Sequence, residues 1–290
     1  MLPKKVKLVL APLILLVTLA AFAHYLSGHR PLLTQLRHTK PVTLVLLLAL
    51  YGVFFSALVL LMEGSVRLCR KRLGTQENIL LNAYSSLVNF FGPGQSGPAV
   101  RGAYLYKRHG IRVKDFMFAM LLYLALYAIV SACLLVGGSW PWPQTLLLVI
   151  GVSATGFSVV RRYARRAKIA EDKPAITVTS IGLIAAATVL QAIVQVIIYY
   201  IELQSVNHGV SWRQAISYTG AANFALFVAL TPGAIGIRES FLLFTQQMHH
   251  ISSASIVTAN IIDRGVYLIF LGLLFLLVLG LHAKDKLRLK

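Results

Sequence analysis

The chain has 290 residues, of which 57% are hydrophobic and only 13% charged, whereas a soluble chain carries about 25% charged residues. Its apolar residues gather into runs about as long as a bilayer core is thick. A soluble globule, a disordered chain, a collagen-like fibre and a disulfide-stapled secreted module are therefore excluded.

Six apolar runs are long enough to cross a membrane as helices: Leu8–Leu26, Val42–Met62, Phe116–Val136, Gln144–Val160, Ile176–Ile201 and Ile256–Leu281. The first also resembles a signal peptide, with Lys4, Lys5 and Lys7 ahead of it and Ala21-Phe22-Ala23 as a cleavage site. The 28 Lys and Arg exceed the 9 Asp and Glu by 19 charges and stand mostly at the ends of these runs. That placement assigns them to topology and anionic headgroups, not to nucleic acid. The amino terminus, the stretch Arg67–Lys114, the loop Arg161–Lys173 and the carboxyl-terminal tail hold most of them. Both termini are accordingly expected in the cytoplasm, with the Trp140-Pro141-Trp142-Pro143 turn at the outer interface. Cys69 and Cys133 fit neither a disulfide framework nor a metal site.

Two connections are too long and too apolar for simple loops. Residues 75–110 hold two short apolar runs around Gly92-Pro93-Gly94, and residues 211–250 hold two more around Thr231-Pro232-Gly233-Ala234-Ile235-Gly236. Neither half of either segment can span a bilayer, so each reads as a re-entrant helical hairpin broken at Pro-Gly. A pair of amphipathic helices on the membrane surface is the alternative. The two segments also resemble each other: Tyr84 and Tyr218 each precede an Asn-Phe pair (Asn89, Asn223) by five residues. Pro93-Gly94 with Gly97 matches Pro232-Gly233 with Gly236, and Arg101 and Arg238 follow.

The expected fold is therefore an all-α polytopic membrane protein of six transmembrane helices and two re-entrant hairpins in an inverted-topology repeat. Residues 1–143 form the first repeat, with its hairpin entering from the cytoplasm. Residues 144–290 form the second, with its hairpin entering from outside. Such repeats place a binding site near the midplane, between broken helices. Cleavage after residue 23 would remove the span that matches the fourth, which argues against a signal peptide.

A helix amino terminus at a hairpin break attracts anions, and a following arginine adds a fork suited to phosphate. Close helix packing by the glycines, with each arginine reaching a headgroup, is the plainer reading. In the sixth span Asn260, Asp263, Arg264 and Tyr267 share a helix face, and ionisable residues inside a span are functional candidates. They would line a cavity with Arg238 and Glu239, or Asp263 and Arg264 would merely lock helices together. The histidines are scattered and no nucleophile elbow or Walker loop is present, so no metal, cofactor or catalytic residue is expected.

Through Asn89–Tyr104 and Thr231–Phe241 the chain resembles the lysylphosphatidylglycerol synthase transmembrane-region family, also called flippase-like. The Pro-Gly-x-x-Gly-x-x-Glu pattern from Pro232 to Glu239 is the more specific element. The resemblance implies a lipid-handling membrane protein, in some members one that moves aminoacylated phosphatidylglycerol to the outer leaflet. These residues include no soluble aminoacyl-transferase domain, so synthesis of that lipid is not expected of them.

The leading functional expectation is a lipid translocase of the bacterial cytoplasmic (inner) membrane, not an enzyme. Its cargo would be an anionic or aminoacylated phospholipid or a polyprenyl-phosphate-linked lipid. Arg101, Arg238 and Arg264 would contact phosphate. Glu239 and Asp263 would balance charge or take up a proton, and Asn89, Asn223 and Asn260 would supply neutral hydrogen bonds. The rivals are a membrane enzyme or an accessory subunit working with envelope-synthesis enzymes, and a small-solute secondary transporter.

Overall fold

A computed structural model describes residues 39–91, 96–138, 177–227 and 237–288. The described residues are helical, with no strand among them. In chain order the helices are α1 (Pro41–Leu68), α2 (Thr75–Phe91), α3 (Ser96–His109), α4 (Val113–Gly137), α5 (Val178–Val206), α6 (Trp212–Phe227), α7 (Ile237–Phe244), α8 (Gln246–His249) and α9 (Ser253–Arg288). Four of them are long and apolar enough to cross a bilayer: α1, α4, α5 and the Ser253–Leu281 part of α9. The chain is a multi-pass membrane protein. The expected spans Leu8–Leu26 and Gln144–Val160 lie outside the described residues, as do the external turn, the Arg161–Lys173 loop and the signal-peptide question.

Local chemistry sets the helix ends. Pro41 occupies the first turn of α1, where its missing N–H costs nothing. At the other end Arg70 takes up a left-handed conformation (φ 59°). The Arg70 N–H then returns to the Arg67 carbonyl and the Lys71 N–H to that of Val66, a Schellman-type stop. Thr177 caps α5 by accepting the Ser180 N–H at 3.1 Å. α1 therefore runs two turns past the apolar limit at Met62, and α5 runs to Val206, past the limit at Ile201.

Two helix pairs carry the packing: α1 lies along α5, and α4 along α6. At both seams a glycine brings backbones together. A Cβ on Gly64 would stand 2.9 Å from Ile184 Cγ1 and 3.1 Å from the Ser180 carbonyl of α5. One on Gly220 would stand 2.6 Å from Leu135 Cα and 2.7 Å from the Ser131 carbonyl of α4. The late part of α1 thus meets the early part of α5, so the pair is antiparallel. The large core, which includes Leu47, Tyr51, Ile198, Leu203, Ile262 and Val266, lies where α9 closes over α1, α2 and α5. Outward, Val42, Val45, Met117, Leu121, Ile193 and Leu276 are exposed, the apolar surface that a bilayer solvates.

The shorter helices come as partners. α2 folds back along α1, with Asn78 Nδ2 donating to the Val59 carbonyl at 3.0 Å. α3 returns along α2: Ser96 Oγ donates to the Val88 carbonyl (2.9 Å) and Arg101 Nε to Ser85 Oγ (2.7 Å). A Cβ on Gly97 would lie 2.8 Å from the Ser85 carbonyl, which is why glycine stands there. α6 packs likewise against α7. One pair follows the end of α1 and the other the end of α5, so the two pairs start at opposite ends of an antiparallel unit. Pro93, Gly94, Pro232, Gly233 and Gly236, where the helical breaks are expected, lie outside the described residues.

Candidate functional site

The polar centre of the molecule forms around α7 and α9. Arg238 Nη1 donates to Asp263 Oδ2 at 2.5 Å, with both side chains at least nine-tenths buried. Tyr51 of α1 donates its hydroxyl to the other carboxylate oxygen, Asp263 Oδ1. From α5, the Tyr199 ring lies under the Arg238 guanidinium, 4.9 Å from centroid to Cζ, a cation–π contact that is strengthened by burial. Glu202 stands one helical turn beyond Tyr199 on the same face. It is 1% exposed and within hydrogen-bond reach of Asp263. α6 adds Tyr218, whose hydroxyl accepts from Asn260 Nδ2 at 3.1 Å and whose ring meets Tyr199 edge-on at 5.6 Å.

Several buried polar atoms here have no hydrogen-bond partner among the described residues: Arg238 Nε and Nη2, Glu202 Oε1, Asn260 Oδ1, and both amide atoms of Asn223 on α6. Most buried polar groups in native proteins are paired, and leaving one unpaired costs about 1–3 kcal/mol. A pure brace would satisfy its own groups. The Arg238–Asp263 bridge does lock α7 to α9, but it uses only one of the three guanidinium nitrogens.

A second polar region adjoins it. Arg101 of α3 is 8% exposed and donates Nε to Ser85; among the described residues it pairs with no carboxylate. It lies in electrostatic range of Tyr123 of α4 and Tyr267 of α9, and Tyr267 is in turn in range of Asp263. Tyr123 and Tyr127 donate to Gln191 Oε1 and Gln195 Oε1 of α5 at 3.0 and 2.9 Å. The α9 stripe thus runs from the Arg238 region to the Arg101 region.

Of the residues that the sequence singles out, the structure brings together Arg238, Asp263, Asn260 and Tyr218. It buries Arg101, Arg264 and Asn223. Asn89 is exposed and its Oδ1 accepts the Gly97 N–H at 3.1 Å, so it serves the start of α3 and not the polar centre. Tyr84 is half-buried on α2. The Glu239 side chain lies outside the described residues. No group of three or more His, Cys, Asp or Glu is placed to hold a metal among the described residues.

Sequence reasoning missed Tyr51, Tyr199, Glu202, Gln191 and Gln195. Glu202 carried a signal: it directly follows the apolar run ending at Ile201, and a carboxylate there deserves the scrutiny given to Asp263. Tyrosine and glutamine in a span carry a weaker one.

Among known proteins, the family model described as the lysylphosphatidylglycerol synthase TM region matches residues 6–274. No curated protein sequence matches the chain.

Proposed function

We propose that this chain, which belongs to the lysylphosphatidylglycerol synthase transmembrane-region family, is a translocase for a phosphate-bearing lipid. The observation that carries the reading is Arg238. It is buried between α5, α6 and α9 and is held by Asp263 through one nitrogen, with Nε and Nη2 unpaired among the described residues. Those two N–H groups form the edge that grips a phosphate in bidentate fashion. Arg101, buried without a carboxylate partner among the described residues, supports the same reading as a second anion contact. The short helix pairs that carry the two arginines start at opposite ends of the α1/α5 unit, an arrangement expected of paired hairpins entering from the two faces. The headgroup would pass along the α9 stripe between Arg101 and Arg238, while the acyl or prenyl chains stay in the bilayer against the apolar exterior.

The test is lipid translocation in proteoliposomes, measured by dithionite quenching of a headgroup-labelled phosphatidylglycerol. Arg101→Lys, Arg238→Lys and Asp263→Asn are compared with the parent chain, after folding is checked by size exclusion and thermal unfolding. The expected result is folded protein with at least severalfold slower translocation for each. Folded protein with unchanged translocation for all three refutes the reading.

A further inference from the structure

A carboxyl–carboxyl contact lies within the polar centre. Glu202 and Asp263 are 1% and 5% exposed and within hydrogen-bond reach of each other, and two carboxylates can share a hydrogen bond only if one carries a proton. Asp263 already accepts from Tyr51 on Oδ1 and from Arg238 on Oδ2, so its negative charge is compensated. Glu202 has neither support, and its Oε1 has no hydrogen-bond partner among the described residues. Like charges sharing one site cannot both ionise cheaply, and one proton stays on the pair.

The groups facing the pair narrow the assignment. Tyr51 of α1, Tyr199 of α5, Tyr218 of α6 and Tyr267 of α9 face it, and phenols ionise only near pH 10 even in water. The remaining charged neighbours are Arg238 and Arg264, which keep their protons. Near neutral pH, Glu202 and Asp263 are thus the members of this cluster, among the described residues, that can change charge.

We infer that Glu202 and Asp263 form a proton-binding site linked to anion binding at Arg238, with Glu202 as the resting proton carrier. The linkage rests on the translocase reading and balances as follows. When a phosphate monoanion engages the free Nε–Nη2 edge, the single guanidinium charge is shared between the phosphate and Asp263, and the carboxyl pair is left with an uncompensated negative charge. The pair then takes up one proton, so anion and proton enter together and the net charge of the site is unchanged. Each lipid phosphate bound at Arg238 thereby carries a proton with it, which couples translocation to a proton gradient.

Infrared spectroscopy of the purified chain near neutral pH tests the resting proton. The expected spectrum contains the carbonyl stretch of a neutral carboxylic acid, shifted in heavy water and lost in Glu202→Gln. If that variant does not fold, Glu202→Asp, which keeps an acid, should move the band. No such band, or a band unaltered by either change, overturns the inference. Calorimetric titration with dimethyl phosphate and with dihexanoyl phosphatidylglycerol, both monoanions throughout the neutral range, in buffers of different ionisation enthalpy, tests the linkage. Uptake of one proton per bound anion is expected, with affinity rising roughly tenfold per unit fall in pH. Binding without proton uptake overturns it. Binding of the lipid alone identifies a headgroup site and binding of both a general anion site; either supports the linkage if protons accompany it. If neither anion binds, the translocase reading falls, and the proton site is then decided by the infrared band.

Discussion

Tyr51 and Asp263 are 212 positions apart in sequence and share a hydrogen bond in the buried centre of the molecule. The phenol holds Asp263 Oδ1 while Arg238 holds Oδ2, so the carboxylate is fixed from two helices at once. Tyr51→Phe keeps the ring against Tyr267 and Phe270, at 5.2 and 5.7 Å, and removes only the donor. The expected cost is about 1.5–3 kcal/mol, the range for a hydrogen bond to a charged group. It should appear as a lower unfolding temperature in detergent together with slower lipid translocation. Unchanged stability in this variant would show that Arg238 alone suffices to hold Asp263.

The α2/α3 pair is clamped at one end by Glu77, whose Oε1 accepts from the Tyr104 hydroxyl at 2.6 Å and contacts His109 Nε2 at 2.8 Å. Burial favours the neutral acid, but the hydrogen bonds from Tyr104 and His109 outweigh it and hold the carboxyl below its usual range. A lowered value means that the unfolded chain binds the proton more tightly. The contribution is therefore complete above about pH 4.3, the ordinary value for Glu, and is lost as pH falls through the folded value. Glu77→Gln should lower stability at neutral pH by less than about 1 kcal/mol, since the group is partly exposed. Thermal unfolding curves for the parent and the variant should converge in acid.

His249 titrates to the same end for a different reason. Its Nδ1 accepts the Ile251 N–H at 3.3 Å, which leaves the proton on Nε2 to donate to the Leu242 carbonyl at 3.0 Å. Burial pushes its value below the ordinary 6.5. Beneath that pH the unfolded chain takes up a proton that the folded ring refuses, so stability falls as the solution is acidified. His249→Gln can make both hydrogen bonds without titrating and should flatten thermal stability between about pH 7 and pH 5, relative to a histidine reference of about 6.5. An unaltered acid slope in this variant would place the titrating group elsewhere.

Gly220 and Gly52 should respond oppositely to alanine. At Gly220 a methyl group would press on Leu135 Cα and the Ser131 carbonyl, and backbone cannot rotate aside. The cost should be about 1–3 kcal/mol, read as a lower unfolding temperature and poorer extraction. At Gly52, inside α1, nothing lies within 4 Å of the added carbon, so alanine should be neutral or stabilise by up to about 1 kcal/mol through helix propensity. Equal effects at the two positions would rule out a backbone seam between α4 and α6.

The sequence made the long helices legible because hydropathy reports length directly, and the short paired helices because Pro-Gly interrupts apolar runs. Where α1 and α5 outrun their apolar stretches, the stops are set by Arg70 geometry and by the turn after Val206, which hydropathy does not encode. Arg238, Asp263 and Asn260 could be picked out because a polar group in a span demands a reason. Tyr51 and Tyr199 could not, since a tyrosine ring fits an apolar face whether or not its hydroxyl is used. The repeated Asn-Phe motif misled in one respect: Asn223 is fully buried, while Asn89 is exposed and serves a backbone N–H. Equal spacing along the chain did not fix equal depth in the fold.

The glycine seams also decide what can move. Gly64 joins α1 to α5, and Gly220 joins α4 to α6, each with backbone so close that sliding or rolling requires separating the helices. Interdigitated contacts of this kind shift between discrete arrangements and do not deform smoothly. Each seam takes one helix from the first half of the chain and one from the second, so the mechanical bodies are not the two sequence halves but two interleaved couples. Any rocking that exposes the polar centre to alternate faces is expected to carry α1 with α5 and α4 with α6. The hinges then fall among the short helices that bear Arg101 and Arg238.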